Sequence, residues 1–293
     1  MNADRRLRAR SIAPAAQHWL HSTQEARVLY AFEAVVNLVN QDAQVLSLVD
    51  ARIGDGPFSI VLEDFPQGTQ AESRLLVFEN GLWLDDWLID ADSAPQWHPV
   101  PAWAALHTMP DTVAHAAGEL SLLLQQYAPE DSLARIVLLD AGTSTLPVRI
   151  QQLAEQNIPQ LLEGIRSQDA NRIQAAARKL AGVGPGLTPA GDDLLLGSMY
   201  GLWATQPASA ASELAEGMAD VAIERTHALS AAWLAAGARG EAAQPWHQLI
   251  AAIASSDGAA LQAAALRILP TGHTSGADAL AGFMAVLQQG GTA

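Results

Sequence analysis

The chain changes character at a cluster of four prolines between positions 95 and 110, and this change restricts most strongly how it can fold. Proline lacks a backbone N–H and has a fixed φ, so such a stretch is neither a helix interior nor a central strand. Before the cluster, short apolar and β-branched runs alternate with turn signals, of which Asn80-Gly81 is the strongest hairpin signal. After it, apolar residues recur at helical spacing and alanine, the best helix former, is abundant.

These patterns predict an α+β protein. We expect a β-rich N-terminal domain, sheet or barrel-like, over residues 1–100, and a mainly α-helical domain over residues 101–293 with Gly-rich loops at helix N-termini. One additional strand is predicted at the apolar, β-branched run Ile136–Leu139.

Composition excludes several functional classes. The chain has 293 residues and no cysteine, which rules out disulfides, thiolate catalysis and iron–sulfur clusters. Its net charge of −15 argues against nucleic acid as a partner, because phosphate backbones require a basic face. No apolar run reaches the roughly 18 residues of a membrane span, and the basic N-terminal residues precede no apolar signal region. We therefore expect a cytoplasmic protein that does not contact membranes.

The segment from Gly182 to Asp193 is the most informative part of the sequence, and it predicts a loop that opens a helix. Thr188 fits the N-cap and Pro189 the first helical position. Glycines permit positive φ, and a helix start offers unpaired N–H donors with a partial positive charge. We therefore predict an anion-binding loop formed by Gly184, Gly186, Leu187, Thr188, Gly191 and Asp192.

The spacing from Gly186 to Gly191 imitates a phosphate-binding P-loop, but two aspartates stand where that motif needs Lys and Ser or Thr. Carboxylates at these positions would repel a triphosphate. They suit an amide N–H, an amine or Mg²⁺ instead, so magnesium is one candidate cofactor and the need for a metal stays open. The alternative interpretation is a capped helix whose first-turn acids only favour the helix dipole.

A second loop repeats the pattern G-x-D-x-L-x-G, found at 191–197 and again at 276–282. We predict that the two helix starts face each other around one ligand, with Asp193 and Asp278 at a common pocket. The anion contacts predicted in this loop are Thr274, Ser275 and Gly276, and His273 is a candidate general acid or base. Convergence on good capping chemistry is the alternative explanation.

Between the loops, Arg225 and Thr226 precede another predicted helix. An arginine there would clamp a carboxylate or phosphate. Thr226 and Ser230 are one helical turn apart and so share a face. An N-cap next to a solvated arginine explains the same residues equally well.

The segment Gly184–Asp193, followed by Gly197, resembles the hallmark of the AllH (YlbF-like) family, formerly a domain of unknown function. Four further segments resemble the family in order and approximate spacing: Arg225-Thr226, Gly272–Asp278, Asn37-Leu38 and Gly54–Ile60. The resemblance thus extends over most of the chain.

The resemblance implies a subunit of oxamate carbamoyltransferase, which exchanges oxalurate and phosphate with oxamate and carbamoyl phosphate. Family members act alongside an FdrA-like and an AllG-like subunit. The resemblance assigns no catalytic residue, so roles come from residue chemistry. Asp193 and Asp278 would orient the attacking amide nitrogen, His273 would carry a proton, and the N–H donors with Arg225 would stabilise developing negative charge.

Two other functions fit the same sequence. One is a non-catalytic structural or regulatory subunit, whose loops only fix helix ends and whose surface docks partners. The other is a stand-alone enzyme for a small amide or acyl phosphate. Loops that converge on a concave pocket favour a catalytic subunit, whereas separated loops and a large exposed apolar patch favour a scaffold.

Overall fold

The computed structural model of the chain describes residues 5–140, 142 and 144–290. The chain forms two compact units. One contains residues up to Pro99 together with Ala242–Gln244, and the other contains Val100–Glu241 and the residues from Pro245 on. The predicted ranges 1–100 and 101–293 include terminal residues outside the described part of the chain, and as domain bounds they stay predictions.

The first unit is an eight-stranded, nearly closed sheet, which confirms the predicted β-rich N-terminal region. In spatial order the strands run β2-β3-β4-β5-β1-β8-β7-β6, with β1–β8 and β4–β5 parallel and the other neighbours antiparallel. The strands are β1 (Arg6–Ile12), β2 (Ala26–Ala31), β3 (Val35–Asn40), β4 (Val45–Asp50), β5 (Ser59–Leu62), β6 (Leu75–Phe78), β7 (Gly81–Leu84) and β8 (Trp87–Asp90). Helix α1 (Pro14–Ser22) contributes Trp19 and Leu20 to the unit's apolar core.

The hairpin predicted at Asn80-Gly81 is present, but its turn lies one residue earlier. Phe78 pairs with Gly81, so Glu79 and Asn80 form the turn and Gly81 is the first residue of β7. A Cβ at Gly81 would overlap the carbonyl oxygen of Ile89 in the next strand. Glycine is therefore required here by close strand approach rather than by turn geometry.

After residue 99 the described chain forms helices and turns without a strand, which confirms the predicted helical region. A 3₁₀ turn at Trp103–Leu106 precedes the helices. These are α2 (Pro110–Tyr127), α3 (Ala134–Val137), α4 (Val148–Ser167), α5 (Ala170–Leu180), α6 (Ala190–Thr205), α7 (Ala208–Ile223), α8 (Ala228–Ala238), α9 (Gln244–Ala254), α10 (Gly258–Ile268) and α11 (Ser275–Gly290). No helix in the described residues is long and apolar enough to cross a bilayer.

The strand predicted at Ile136–Leu139 is wrong, because these residues lie in the short helix α3 and the turn after it. The hydroxyl of Ser132 accepts the N–H of Ala134 at 3.0 Å, which starts a helical turn. A short β-branched run forms a strand only beside a pairing partner, and the unit around it offers no strand to pair with.

Helices α6 and α11 form the buried centre of the second unit and run parallel. Gly197 faces Ala279, Gly282 faces Ser198 and Leu194, and Gly201 faces Val286; the pairs 197/279, 198/282 and 201/286 advance in the same direction along both helices. A Cβ at Gly197 or Gly282 would overlap a backbone carbonyl oxygen of the opposite helix. Because these contacts are between backbones, the two N-termini are held side by side.

The second unit contains a structural repeat centred on this helix pair. An 11-residue helix with an aspartate N-cap, a turn and a 16-residue helix occur twice, as α5–α6 and as α10–α11. Gly191 packs against the carbonyl of Leu180, and Gly276 packs in the same way against the carbonyl of Ile268. The repeated G-x-D-x-L-x-G pattern therefore marks one structural unit used twice.

Candidate functional site

The two predicted loops meet at the N-terminal ends of α6 and α11. The hydroxyl of Thr188, before α6, lies 2.9 Å from the hydroxyl of Ser275, at the start of α11. Both side chains are only partly buried. The expectation that the two helix starts face each other is confirmed by this contact. We call residues 184–188 the first turn and residues 272–275 the second turn.

Thr188 does not cap its own helix, so that prediction is wrong by one residue. Helix α6 begins at Ala190 with Pro189 at the N-cap. The carbonyl of Pro189 accepts the N–H groups of Asp192 at 2.8 Å and Asp193 at 3.1 Å. With Pro189 at the N-cap rather than at the first helical position, the Thr188 hydroxyl contacts Ser275 and caps no N–H of α6.

The first turn exposes backbone donors. Gly184 and Gly186 have φ values of +120° and +97°, which glycine adopts without strain. The N–H groups of Gly184, Gly186, Leu187 and Thr188 donate no hydrogen bond to the described residues. Gly186 is exposed, and the other three are partly buried. This arrangement of unpaired donors at a helix start is suited to holding an anion.

Asp192 serves as an acceptor within the protein. Its Oδ1 accepts the N–H of Gly182 at 2.8 Å, and its Oδ2 accepts the hydroxyls of Thr226 and, at 2.8 Å, Ser230. The predicted shared face of Thr226 and Ser230 is confirmed by this common partner. Burial raises the pKa of Asp192, whereas these hydrogen bonds lower it. Asp192 and Thr226 therefore fasten α6 to the start of α8.

Asp278 has a similar role in the repeat, with different partners. Its Oδ1 accepts the Ser132 hydroxyl at 2.6 Å and the N–H of Leu133 at 2.7 Å. The carbonyl of Thr274 accepts the Asp278 N–H at 2.9 Å. Burial raises the pKa of Asp278 to about 7 despite these hydrogen bonds. Asp278 thus fastens α11 to the segment before α3.

Asp193 lies between the two turns. Burial raises the pKa of Asp193 well above its usual range; the charges of Asp278 and Asp192 raise it further, and hydrogen bonding with Ser275 and Thr188 lowers it. The Oδ2 atoms of Asp193 and Asp278 are both buried and have no hydrogen-bond partner. Buried polar atoms without partners are uncommon, and this distinguishes Asp193 and Asp278 from Asp192, whose two oxygens both accept hydrogen bonds.

His273 lies in the second turn and is highly exposed. One ring nitrogen, Nε2, is 2.9 Å from Oδ2 of Asp131, with the two side chains 78% and 42% exposed. Asp131 directly precedes Ser132, so one short segment contacts both His273 and Asp278. An exposed imidazole beside a carboxylate has the chemistry of a proton carrier.

Arg225 is exposed, and its guanidinium forms no hydrogen bond or ion pair with the described residues. Its carbonyl oxygen lies where a Cβ of Gly182 would sit, so its backbone packs against the residue that leads into the first turn. Gly191 and Gly276 are buried against carbonyls, and their role is close packing.

Two cavities in the described residues lie away from the turns. One, of about 250 Å³, is lined by Gln17, Asn80 and Gln96 of the first unit. The other, of about 260 Å³, lies between α2 and the α9–α10 turn. The common pocket predicted for Asp193 and Asp278 is neither of these. The described residues also contain no group of three His, Asp or Glu side chains placed to hold a metal, and the magnesium ion stays a prediction.

Sequence reasoning missed Asp131 and Ser132 as parts of this site. Both lie far from the turns in sequence, and Pro-Glu-Asp-Ser is typical of any surface turn. Only the fold places this segment beside α11, so no local signal would have found it.

Comparison with known families identifies the segment that carries both turns. The model of a family described as oxamate carbamoyltransferase subunit AllH matches residues 180–287. The resemblance predicted from Gly184–Asp193 and Gly272–Asp278 is confirmed over this range. The match to AllH does not extend to Asn37-Leu38 or Gly54–Ile60, where the resemblance stays a prediction. No curated protein and no solved structure matched the chain significantly.

Proposed function

We propose that this chain is a subunit of an oxamate carbamoyltransferase-like complex and that its two turns bind a small carbamoyl or amide anion. The observation that carries this proposal is the meeting of Thr188 and Ser275 within the AllH-matching segment. It brings unpaired N–H donors and a buried carboxyl to one place. Carbamoyl phosphate, oxamate and oxalurate combine negative charge with amide N–H groups, so both kinds of group have a use.

The proposed reaction joins phosphate to the ureido carbon of oxalurate. A phosphate oxygen attacks that carbon, the bond from it to the oxamate nitrogen breaks, and the nitrogen takes up a proton. The products are carbamoyl phosphate and oxamate. Negative charge collects on the tetrahedral carbonyl oxygen, where preorganised N–H donors stabilise it.

Each predicted site residue has a role in this proposal. The N–H groups of the first turn hold the anion, while Asp193 and Asp278 orient the amide nitrogen. His273, hydrogen-bonded to Asp131, carries the proton. Arg225 supplies positive charge near the entrance to the first turn. The partners are the FdrA-like and AllG-like subunits.

A structural subunit is the second candidate function, and specific observations favour it. Asp192 and one oxygen of Asp278 are already occupied by internal hydrogen bonds, and the two cavities described above lie elsewhere. In that case the turns only fix the helix starts, and the complex would work without an open first turn.

The Gly186→Val substitution tests the proposal. A side chain at φ +97° strains the turn, yet nothing lies within 4 Å to collide with it. We expect the variant to fold and to assemble with both partner subunits, but to lose at least 90% of carbamoyl phosphate formation from oxalurate and phosphate. The assay is run with and without Mg²⁺.

The matched control is Gly68→Val, which has φ +82°, equally open surroundings and a place in the first unit. Both variants should lose similar stability, about 1–2 kcal/mol, because both place a side chain in the left-handed region. Full turnover by Gly186→Val would support the structural subunit. Turnover by the purified chain alone would instead establish the stand-alone enzyme, and a complete complex without transfer activity would overturn the proposal.

A further inference from the structure

The carboxyl of Asp193 lies close to hydroxyls of both turns. Hydrogen bonding to it involves Ser275 of the second turn and Thr188 of the first, and those two hydroxyls also contact each other. Asp193 is 6% exposed, and its Oδ2 has no partner. A buried carboxylate oxygen that accepts nothing is costly, because its hydration is lost without replacement.

The charges around Asp193 favour a proton on it. Asp278 of α11 and Asp192 of its own helix are both buried acids nearby. Charged groups on the other packed elements are exposed: Arg178 and Lys179 of α5, Glu213, Glu216 and Asp220 of α7, Arg225 and His227 before α8, and His273 at the second turn, whose partner Asp131 is partly buried. Arg135 of α3 is the largely buried cation near these acids: its side chain is 13% exposed, and its ion-pair partner is Asp140.

A protonated Asp193 changes what the site offers. Its O–H is a donor that needs an acceptor, and the described residues supply none to Oδ2. The N–H groups of the first turn are also donors without an acceptor among the described residues. An Asp193 O–H and these N–H groups would all donate to the same anion.

We propose that Asp193 is protonated when the anion binds and that its O–H donates to this anion, so that one anion and one proton bind together. This rests on the proposed function for the ligand class and goes beyond it in assigning the proton. An anion placed beside an ionised Asp193 would meet like charge at close range. Binding with the proton keeps the charge of the site unchanged.

Binding of oxamate to the full chain tests this inference, since the oxamate carboxylate does not titrate between pH 6 and 9. Isothermal titration calorimetry in two buffers of different ionisation enthalpy counts the protons taken up. Uptake should approach one proton once the pH exceeds the pKa of free Asp193, and affinity should fall up to tenfold per pH unit there.

Variants locate the proton. Asp193→Asn keeps a donor without a titrating group, so its oxamate affinity should be independent of pH and its proton uptake absent. Asp193→Leu removes the donor and should weaken binding at least tenfold below the pKa of free Asp193, with no dependence on pH. The exposed control Asp220→Asn should behave as wild type.

Three results would overturn the inference. The first is proton uptake that persists in Asp193→Asn. The second is uptake that disappears only in Asp278→Asn, which would move the proton to the other buried acid. The third is a wild-type chain that fails to bind oxamate. The transfer assay in the reconstituted complex can still succeed in each case, so this failure is distinct from failure of the proposed function.

Discussion

The three aspartates of the two turns have the same side chain and different uses, which only their partners reveal. Asp192 and Asp278 receive hydrogen bonds from segments distant in sequence, whereas Asp193 contacts the two turns themselves. The sequence singled out all three because aspartate follows glycine at a helix start. Their division of roles depends on Ser132, Ser230 and Gly182, whose positions follow from the tertiary fold.

The raised pKa of Asp278 predicts how stability depends on pH. Its folded-state pKa of about 7 lies above the unfolded value of 3.8, so the folded state binds this proton more tightly. The resulting stabilisation is complete below about pH 4 and is lost as the pH rises to about 7. Asp193 shifts in the same direction.

We therefore expect the free energy of unfolding of Asp278→Asn to fall less than that of wild type between pH 5 and pH 8. The difference should be on the order of 1–3 kcal/mol, since each pKa unit corresponds to about 1.4 kcal/mol. Asparagine keeps an acceptor for Ser132 and Leu133, so the fold is retained. Urea denaturation across this range measures the effect, and identical pH profiles would show that Asp278 is ionised in the folded protein.

At the scale of elements, the glycine contacts between α6 and α11 set the geometry of the site. Gly197 to Ala should cost about 1–3 kcal/mol or more, because the added methyl overlaps the Ala279 carbonyl and the helices must separate. Gly118→Ala is the matched control, since Gly118 is an exposed glycine inside α2 with nothing within 4 Å. That change should stabilise by about 0.5–1 kcal/mol.

Urea denaturation followed by circular dichroism compares the two variants, and oxamate affinity gives a second readout. Separation of the helices should also weaken binding in Gly197→Ala, because Thr188 and Ser275 move apart. Equal stability of the two variants would mean that the helix crossing tolerates a side chain there.

Elements with a clear local sequence signal were predicted, and elements without one were missed. The repeat of G-x-D-x-L-x-G predicted two facing helix starts correctly. Strand β1 was not predicted, although Arg6, Arg8 and Arg10 alternate with smaller residues. The run looked like a basic terminus, while in the sheet Arg6 pairs with Asp90 and Arg10 with Glu63.

At the scale of the whole molecule, the acidic charge opposes the proposed ligand. A net charge of −15 repels small anions at long range, while the N–H donors of the first turn act only at contact. We expect the association rate of oxamate to rise severalfold between 10 and 150 mM salt, because the screening length falls from about 30 to about 8 Å. Stopped-flow tryptophan fluorescence measures this rate.

A rate that falls with salt would instead show that Arg225 attracts the ligand. Composition alone supplied this prediction, just as the change at the proline cluster supplied the α+β class. The position of residues 129–134 beside α11 could not be predicted from the sequence, because contacts between residues so far apart in sequence have no local signal.

The partners of Asp278 carry one more consequence for anyone who dissects this protein. Ser132 and Leu133 lie outside the family-matching range of 180–287. A fragment limited to residues 180–287 would therefore leave the buried carboxyl of Asp278 without these two hydrogen-bond donors. The part of the chain shared with the family therefore depends on an upstream segment that packs against it and that the family match does not include.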